Sequence, residues 1–134
     1  MPEIEYVHDR METEELLERL CPPVRNWFMD KFPDFTEPQK VAIPRILHGE
    51  HLLLCSPTGS GKTLTAFLTI IDDLVRGSLD GTLPDSVQCV YISPIKALAN
   101  DIEKNLLGPL GEIKERYLPS RAKEIKVGLR TGDT

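Results

Sequence analysis

The stretch "SPTGSGKT", residues 56–63, decides the fold of this chain. Its small residues allow consecutive backbone N–H groups to converge on one anion, as a phosphate-binding loop requires. Lys62 can reach the phosphate oxygens, and Thr63 can place its hydroxyl on a magnesium ion. Ser56 replaces the first glycine of the usual pattern, so the bare motif is imperfect. The residues that we assign to phosphate binding are Ser56, Thr58, Gly59, Ser60, Gly61, Lys62 and Thr63.

The sequence on either side of this loop favours the same interpretation. "HLLLC", residues 51–55, is a short continuous apolar run that is typical of a buried parallel strand. Residues 62–76 place apolar side chains along one stripe of a helix, and Gly77 follows as the expected helix end. A strand that leads directly into a helix N-terminus is an arrangement that binds phosphate, whereas a simple Gly/Ser-rich turn would not require Lys-Thr at its close.

The pattern of strand and helix continues toward the C-terminus. "VQCVYIS", residues 87–93, predicts a second strand, and "IKVGL", residues 125–129, predicts a third. Between them, residues 95–107 have the spacing of an amphipathic helix, and a further helical piece is expected near residues 112–118. Alternating strands and helices predict an α/β fold with a parallel sheet and flanking helices.

The first part of the chain predicts helices alone. We expect a short helical N-terminal segment over residues 1–23, with a helix capped by Thr13 and stopped by the prolines at its end. Two further short helices are expected after Pro23 and near Thr36. Pro44 falls inside the second of these, where it would kink the helix or mark its effective start.

The distribution of charge neither supports nor excludes a polyanionic partner. The net charge of the 134 residues is -5. Residues 1–37 hold ten acidic and four basic side chains, whereas residues 91–134 hold eight basic and six acidic ones. Because attraction to phosphate is local and screened within about 10 Å, a nucleic acid would be met by the later segment.

Neither a membrane span nor a secretory signal is expected. The longest apolar-rich run, residues 64–75, is interrupted by polar side chains, and the N-terminus lacks a basic region followed by an apolar core. The three cysteines have no metal-binding spacing, so we expect free thiols in an intracellular (cytoplasmic) protein. Cys55 and Cys89 are predicted to pack among apolar neighbours.

Four motifs together resemble those of a known family. "SPTGSGKT" looks like motif I of superfamily 2 (DEAD/DEAH-box-like) ATP-dependent helicases, and "FPDFTEPQ", residues 32–39, is similar to the Q motif. "YISPIKALAND", residues 91–101, resembles motif Ia, and "RTGDT", residues 130–134, resembles the stretch around motif Ib. The closest resemblance is to the large helicase-related (Lhr) branch. It implies that residues 24–134 form the N-terminal part of a RecA-like P-loop NTPase domain, which would be incomplete.

The resemblance implies roles in binding ATP and Mg²⁺. Lys62 and Thr63 would be catalytic and would serve the phosphates and the metal. Gln39 would hydrogen-bond the adenine edge, and Phe32 would stack on its face, with Phe35 as a competing aromatic residue. Without the resemblance, the residues themselves favour a solvated Gln39 and a core position for Phe32.

The resemblance also implies contact with the backbone of DNA or RNA. Motif Ia would hold one phosphate through polar groups and the N-terminus of the following helix. A solvated lysine in a first helical turn is the alternative for Lys96. The residues that would contact nucleic acid are Ser93, Pro94, Lys96, Thr131 and Asp133.

The acidic motif II that the family needs for hydrolysis has no counterpart here. No Asp-Glu dipeptide occurs in the sequence. "TIIDD", residues 69–73, keeps helical spacing, and Asp72 and Asp73 would lie about 15 Å beyond Lys62, so we expect them at a solvated helix end. The second RecA-like domain is absent too. The sequence therefore looks like the N-terminal portion of a helicase, from a truncated gene product, a split reading frame or a deliberately shortened chain.

These absences predict weak binding of ATP and negligible hydrolysis by the chain alone. A partner chain could supply the rest of the helicase. Two other functions stay open: a small P-loop phosphotransferase or signalling protein with an unusual catalytic acid, and a non-catalytic interaction fragment that docks on a partner through an exposed sheet edge.

Overall fold

Helices account for most of the regular structure. The computed structural model describes residues 3–57 and 61–132. The helices, in chain order, are α1 (Thr13–Arg19), α2 (Pro22–Lys31), α3 (Glu37–Leu47), α4 (Lys62–Asp80), α5 (Ile95–Ile102) and α6 (Gly108–Arg116). A π-helical turn, Glu103–Leu107, joins α5 to α6. The predicted helices are therefore confirmed in order and approximate position.

Helix α4 is the centre of the core. Its side chains Leu68, Ile71 and Val75 are fully buried, as the apolar stripe in the sequence predicts. Helices α2 and α3 and the π-helical turn pack against it. The core is completed by Leu16, Leu20, Cys21, Val24, Trp27, Phe28, Phe35, Ile43, Phe67, Leu106 and Ile113. Residues of the N-terminal segment 1–23 thus share one core with the rest of the chain.

The ends of α1 and α4 differ from the predictions. Thr13 is the first helical residue and Glu12 is the N-cap, because the Thr13 hydroxyl donates a hydrogen bond to Asp34 instead of capping α1. Helix α4 does not stop at Gly77 but runs to Asp80 and ends at Gly81, which adopts the left-handed conformation with φ 72°. Gly77 is accommodated inside α4 because Leu83 packs against it, 3.4 Å from where a Cβ would lie.

Two residues that disfavour regular helices, Pro44 and Gly108, lie within helical segments. Pro44 lies inside α3 without ending it, and the helix runs on to Leu47. Gly108 closes the π-helical turn, since its N–H donates to the Glu103 carbonyl. A Cβ at position 108 would approach that carbonyl oxygen to 2.9 Å, so glycine allows the wide turn to form.

The three predicted strands are not formed in the part of the chain that the structure describes. Segments 51–55, 87–93 and 125–129 are neither helix nor strand, and their apolar side chains are largely exposed: 85% for Leu53 and 87% for Ile92. The prediction that Cys55 and Cys89 pack among apolar neighbours is wrong, because both are exposed. A buried parallel strand needs neighbouring strands and helices on both faces, and these segments lack such neighbours here.

An apolar groove runs along the last of these segments. It encloses about 710 Å³ between α6 and residues 118–127. Its apolar lining comes from Leu107, Leu110, Leu118, Ile125 and Val127. Apolar surface is therefore open beside the third predicted strand.

Asp72 is buried, contrary to the prediction of a solvated helix end. Its Oδ1 accepts a hydrogen bond of 2.7 Å from the backbone N–H of Cys21, and its Oδ2 pairs with Arg76 at 2.9 Å. Cys21 is the N-cap of α2, so the carboxylate lies at the positive end of that helix. Burial, and then the charge of Asp72, raise the pKa of the Cys21 thiol to about 12. Asp73 is exposed, as predicted.

No helix among those described combines the length and apolar character that crossing a membrane requires. The described residues also contain no cluster of acidic, histidine or cysteine side chains that could hold a metal ion. The cysteines are free thiols, in agreement with the sequence analysis.

We expect Asp72→Ala to lower the free energy of unfolding by about 1–3 kcal/mol, because it leaves the buried Cys21 N–H without its acceptor and removes the partner of the half-exposed Arg76. Asp73→Ala, one residue further along α4, is the matched control and should change it by less than about 0.5 kcal/mol. Urea unfolding followed by circular dichroism measures both. Equal effects of the two substitutions would contradict the structural role of Asp72.

Candidate functional site

The N-terminus of α4 presents the groups that an anion needs. Gly61 is the N-cap, in the left-handed conformation with φ 81°, and has no side chain with which to cap the first N–H groups. The first turn of α4 holds Lys62 and Thr63 and no acidic residue. The helix dipole and the ammonium group therefore act in the same direction at this end of α4. Thr58, Gly59 and Ser60, which are also assigned to the loop, lie outside the described residues.

Lys62 spans the two ends of the loop. Its Nζ donates a hydrogen bond of 3.2 Å to the backbone carbonyl of Ser56, six residues earlier, while the side chain remains exposed to solvent. The ammonium group thus lies at the loop and is not used in an ion pair with any described carboxylate. A contact with one neutral carbonyl leaves it available for a phosphate oxygen.

The carbonyl of Gly61 joins α3 to α4. It accepts hydrogen bonds from Nε2 of Gln39 at 3.2 Å, from Oγ1 of Thr65 at 2.9 Å and from the backbone N–H of Thr65 at 3.1 Å. The side chain of Gln39 also accepts from the Thr36 N–H at 2.9 Å, and the Thr36 hydroxyl accepts from the Gln39 N–H, which completes a capping box. Gln39 is only 3% exposed, so the alternative of a solvated helix residue is wrong.

The aromatic residues before α3 form a stack that ends at the surface. The Phe35 ring stacks on Phe28 with centroids 4.1 Å apart, and Phe28 stacks on Phe32 at 5.0 Å. Phe35 is 5% exposed, whereas Phe32 is 37% exposed. Trp27 contacts Phe32 edge-to-face at 5.9 Å and is itself buried. Of the two candidate aromatic residues, Phe32 is the one with accessible surface.

The motif Ia residues surround the start of α5. Pro94 is the N-cap of this helix, and Lys96 is exposed in its first turn. Ser93 donates from its hydroxyl to Oδ2 of Asp101 at 3.3 Å, and the Tyr91 hydroxyl donates to the same oxygen at 3.0 Å. Ser93, Pro94 and Lys96, which are predicted to meet nucleic acid, thus lie together at the start of α5. The Ser93 hydroxyl, however, already has a partner within the protein.

The remaining predicted contacts lie at the C-terminal end. Thr131 is half-buried, and Asp133 lies outside the described residues.

Comparison with known proteins identifies the family. The sequence model of the DEAD/DEAH box helicases matches residues 36–127, which is more than half of the chain and includes the Q motif glutamine, the phosphate loop and motif Ia. This chain belongs to the DEAD/DEAH box helicase family. The resemblance read from the four motifs is therefore confirmed.

Two relatives are ATP-dependent Lhr-Core helicases. The protein of Methanocaldococcus jannaschii is 45% identical over 136 residues, which cover 100% of this chain and 16% of the relative. The protein of Methanothermobacter thermautotrophicus is 53% identical over 128 residues, which cover 94% of this chain and 15% of the relative. The chain thus spans about one sixth of the length of these helicases.

A solved structure shares the fold. The helicase Lhr of Mycobacterium smegmatis, bound to ssDNA and AMP-PNP, matches with a TM-score of 0.71 and 43% identity over 88% of this chain and 15% of that one. Despite the unformed strands, the backbone of this chain therefore resembles a portion of a DEAD/DEAH box helicase.

Two groups at the site escaped the sequence reasoning. Thr36 caps α3 and contacts Gln39, and the pattern Thr-x-x-Gln at a helix start is a capping-box signal that could have revealed it. Asp101 accepts hydrogen bonds from Tyr91 and Ser93, and no local pattern indicates this because it depends on how α5 folds back on the preceding segment.

Gly61→Ala tests the contact between the loop and the Q motif. A Cβ at position 61 would lie 2.6 Å from Nε2 of Gln39, whereas at Gly49, with a similar φ of 76°, nothing lies within 4 Å. Gly49→Ala should therefore report the left-handed strain alone, about 1 kcal/mol, and Gly61→Ala should cost at least about 1 kcal/mol more. Chemical denaturation measures both. The extra destabilisation by Gly61→Ala over Gly49→Ala should shrink in a Gln39→Ala background. If it is unchanged there, Gln39 does not confine Gly61.

Proposed function

We propose that this chain is the ATP- and nucleic-acid-binding N-terminal part of a helicase of the Lhr type. The observation that carries the proposal is the N-terminus of α4, where Gly61, Lys62 and Thr63 offer uncapped N–H groups, an ammonium group and a hydroxyl at one point. The Mycobacterium smegmatis relative was solved with AMP-PNP and ssDNA, which supports both ligands for this chain.

Lys62 would bind the β- and γ-phosphate oxygens, and the first N–H groups of α4 would donate to the same phosphates. The hydroxyl of Thr63 would contribute one oxygen ligand to Mg²⁺, which supplies charge neutralisation on the phosphates. The donors fit the group, because the first turn of α4 has no carboxylate to repel phosphate and the lysine is exposed. Ser56, Thr58, Gly59 and Ser60 would complete the loop.

Phe32 and Gln39 would recognise adenine. Phe32 offers a ring face at the end of the aromatic stack, whereas Phe35 is buried beneath Phe28, which favours Phe32 as the stacking residue. Gln39 already donates to Gly61 and accepts from Thr36, and its amide retains one further N–H and one further lone pair for a base edge. Gln39 would therefore touch both the base and the end of the phosphate loop.

The start of α5 would hold a nucleic-acid phosphate. Ser93, Pro94 and Lys96 lie at its N-terminus, and Lys96 is exposed and free of described ion pairs. Contacts of this kind are independent of base sequence and weaken with salt. Thr131 and Asp133 are further contacts that the motif Ib resemblance implies, and Asp133 lies outside the described residues.

Segments 51–55, 87–93 and 125–129 would form a parallel sheet once the rest of the RecA-like domain is present. Their exposed apolar side chains and the apolar groove beside α6 support this, because both are surfaces that a sheet with its flanking helices would cover. In that domain, residues 1–23 would be a helical extension and residues 24–134 the N-terminal part. The missing portion would come from the rest of a longer chain or from a partner chain in the cytoplasm.

The same exposed surface favours a second candidate function, that of an interaction fragment without catalysis. Leu53 and Ile92 are more than four-fifths exposed, which is unusual for side chains of this type and favours association. Hydrolysis by the chain alone should be negligible. Phosphate release at an appreciable rate would instead indicate a small P-loop phosphotransferase.

Lys62→Ala should weaken binding of a fluorescent ATP analogue at least tenfold, because it removes the ammonium group from the phosphate site. Lys114→Ala, an exposed lysine of α6, is the matched control and should bind as the unaltered chain does. Fluorescence titration in the presence of Mg²⁺ gives both affinities. Equal binding by all three proteins would refute the assignment of the loop.

A further inference from the structure

The hydroxyl of Ser93 cannot serve two acceptors at once. A serine hydroxyl carries one proton, and an ionised carboxylate has none to donate, so the hydrogen bond between Ser93 and Asp101 must run from the hydroxyl to the carboxylate. The other polar groups near the hydroxyl are the carbonyl of Pro94 at 3.5 Å and the hydroxyl oxygen of Tyr91. Because the Tyr91 proton is donated to Asp101, both groups can only accept from Ser93. The single proton of Ser93 is therefore committed within the chain.

Asp101 is held in position to accept the hydrogen bond from Ser93. Its Oδ2 accepts a shorter bond of 3.0 Å from the Tyr91 hydroxyl, and the Tyr91 ring packs on Phe67 of α4 with centroids 4.7 Å apart. Phe67 is buried in the core, so Tyr91 is anchored at one end. No lysine, arginine or histidine in the described part of the chain forms an ion pair with Asp101, and the two hydroxyls are the donors described for its partly exposed carboxylate. The carboxylate is consequently a strong acceptor for both hydroxyl hydrogen bonds.

A phosphate diester would compete with Asp101 for the same hydroxyl. Its oxygens are acceptors only, so Ser93 can donate to a nucleic-acid phosphate only after its bond to Asp101 has broken. We propose that Asp101 competes with nucleic acid for the Ser93 hydroxyl and lowers the affinity of the motif Ia segment for the phosphate backbone. This inference rests on the proposed function of that segment and assigns Asp101 an opposing, affinity-setting role within it.

Competition and simple repulsion make different predictions. Replacing Asp101 removes a negative charge, which alone should strengthen binding of a polyanion slightly whether or not Ser93 is present. Release of the hydroxyl adds a contact that exists only when Ser93 is present. The two effects therefore separate in a double-mutant cycle between positions 93 and 101.

The experiment measures binding of a fluorescent single-stranded oligodeoxynucleotide to the full chain by anisotropy. Asp101→Asn should tighten binding by up to about tenfold, since a neutral amide oxygen holds the Ser93 hydroxyl less strongly than a carboxylate does and a hydrogen bond to a charged phosphate becomes available. Glu103→Gln, an exposed carboxylate two residues further on, is the charge control and should tighten binding by about twofold or less. In a Ser93→Ala background, the gain from Asp101→Asn should fall to that of the charge control.

Two results would overturn the competition. One is an equal gain from Asp101→Asn with and without Ser93, which would indicate charge alone. The other is the absence, in both Asp101→Asn and Asp101→Ala, of any gain beyond that of Glu103→Gln. Asp101→Ala repeats the cycle without an amide that could itself bond to Ser93, and thermal unfolding of each variant shows whether it is folded at the assay temperature. If the unaltered chain and every variant fail to bind the oligodeoxynucleotide, the proposed nucleic-acid function fails as well, whereas binding with an additive cycle refutes the role of Asp101 alone.

Discussion

The carbonyl oxygen of Gly61 is the point on which the arrangement of the site depends. It receives one donor from the Q motif, Nε2 of Gln39, and two from the second turn of α4, both from Thr65. These bonds fix where α4 begins relative to α3. Because Lys62 and Thr63 follow Gly61 directly, the same bonds determine where their N–H groups and side chains can meet a phosphate. Glycine is favoured at this position both by its positive φ and by the close approach of the Gln39 side chain.

The middle of α4 is held by a buried carboxylate. Asp72 accepts a hydrogen bond from the N-cap N–H of α2 and pairs with Arg76. The apolar stripe of α4 packs into the common core. One helix thus carries the proposed phosphate site at its N-terminus and a structural carboxylate in its interior. This division explains why "TIIDD", although it resembles an acidic motif, belongs to the interior of α4, where its buried carboxylate is engaged with the N-terminus of α2.

Local patterns predicted the helices well and the strands poorly. Helices α2, α3 and α4 begin near their expected positions because their hydrogen bonds are internal and their apolar stripes are periodic. The run "HLLLC" has the composition of a buried strand, but a parallel strand forms only against neighbours, and those are not provided by residues 3–57 and 61–132. Likewise, the sequence offers both Gly77 and Gly81 as ends of α4, and the helix runs through the first and ends at the second, which adopts the left-handed conformation.

The candidate site was predictable to the extent that it follows motifs. The family resemblance indicated Lys62, Gln39 and Phe32, and the structure adds the reason why Phe32 is more accessible than Phe35. The resemblance could not indicate that Gln39 is buried against Gly61, or that Asp101 accepts a hydrogen bond from Ser93, because both contacts depend on the packing of separate segments. Tertiary hydrogen bonds, rather than residue types, are what the sequence left undetermined.

The most direct test of the central claim is to map where a nucleotide binds. Backbone and side-chain amide signals of the ¹⁵N-labelled chain can be followed by NMR during titration with AMP-PNP and Mg²⁺. The largest shifts should occur at the N–H groups of Gly61, Lys62 and Thr63 and at the side-chain amide of Gln39. Shifts confined to the apolar groove beside α6, or no shifts at saturating nucleotide, would contradict it.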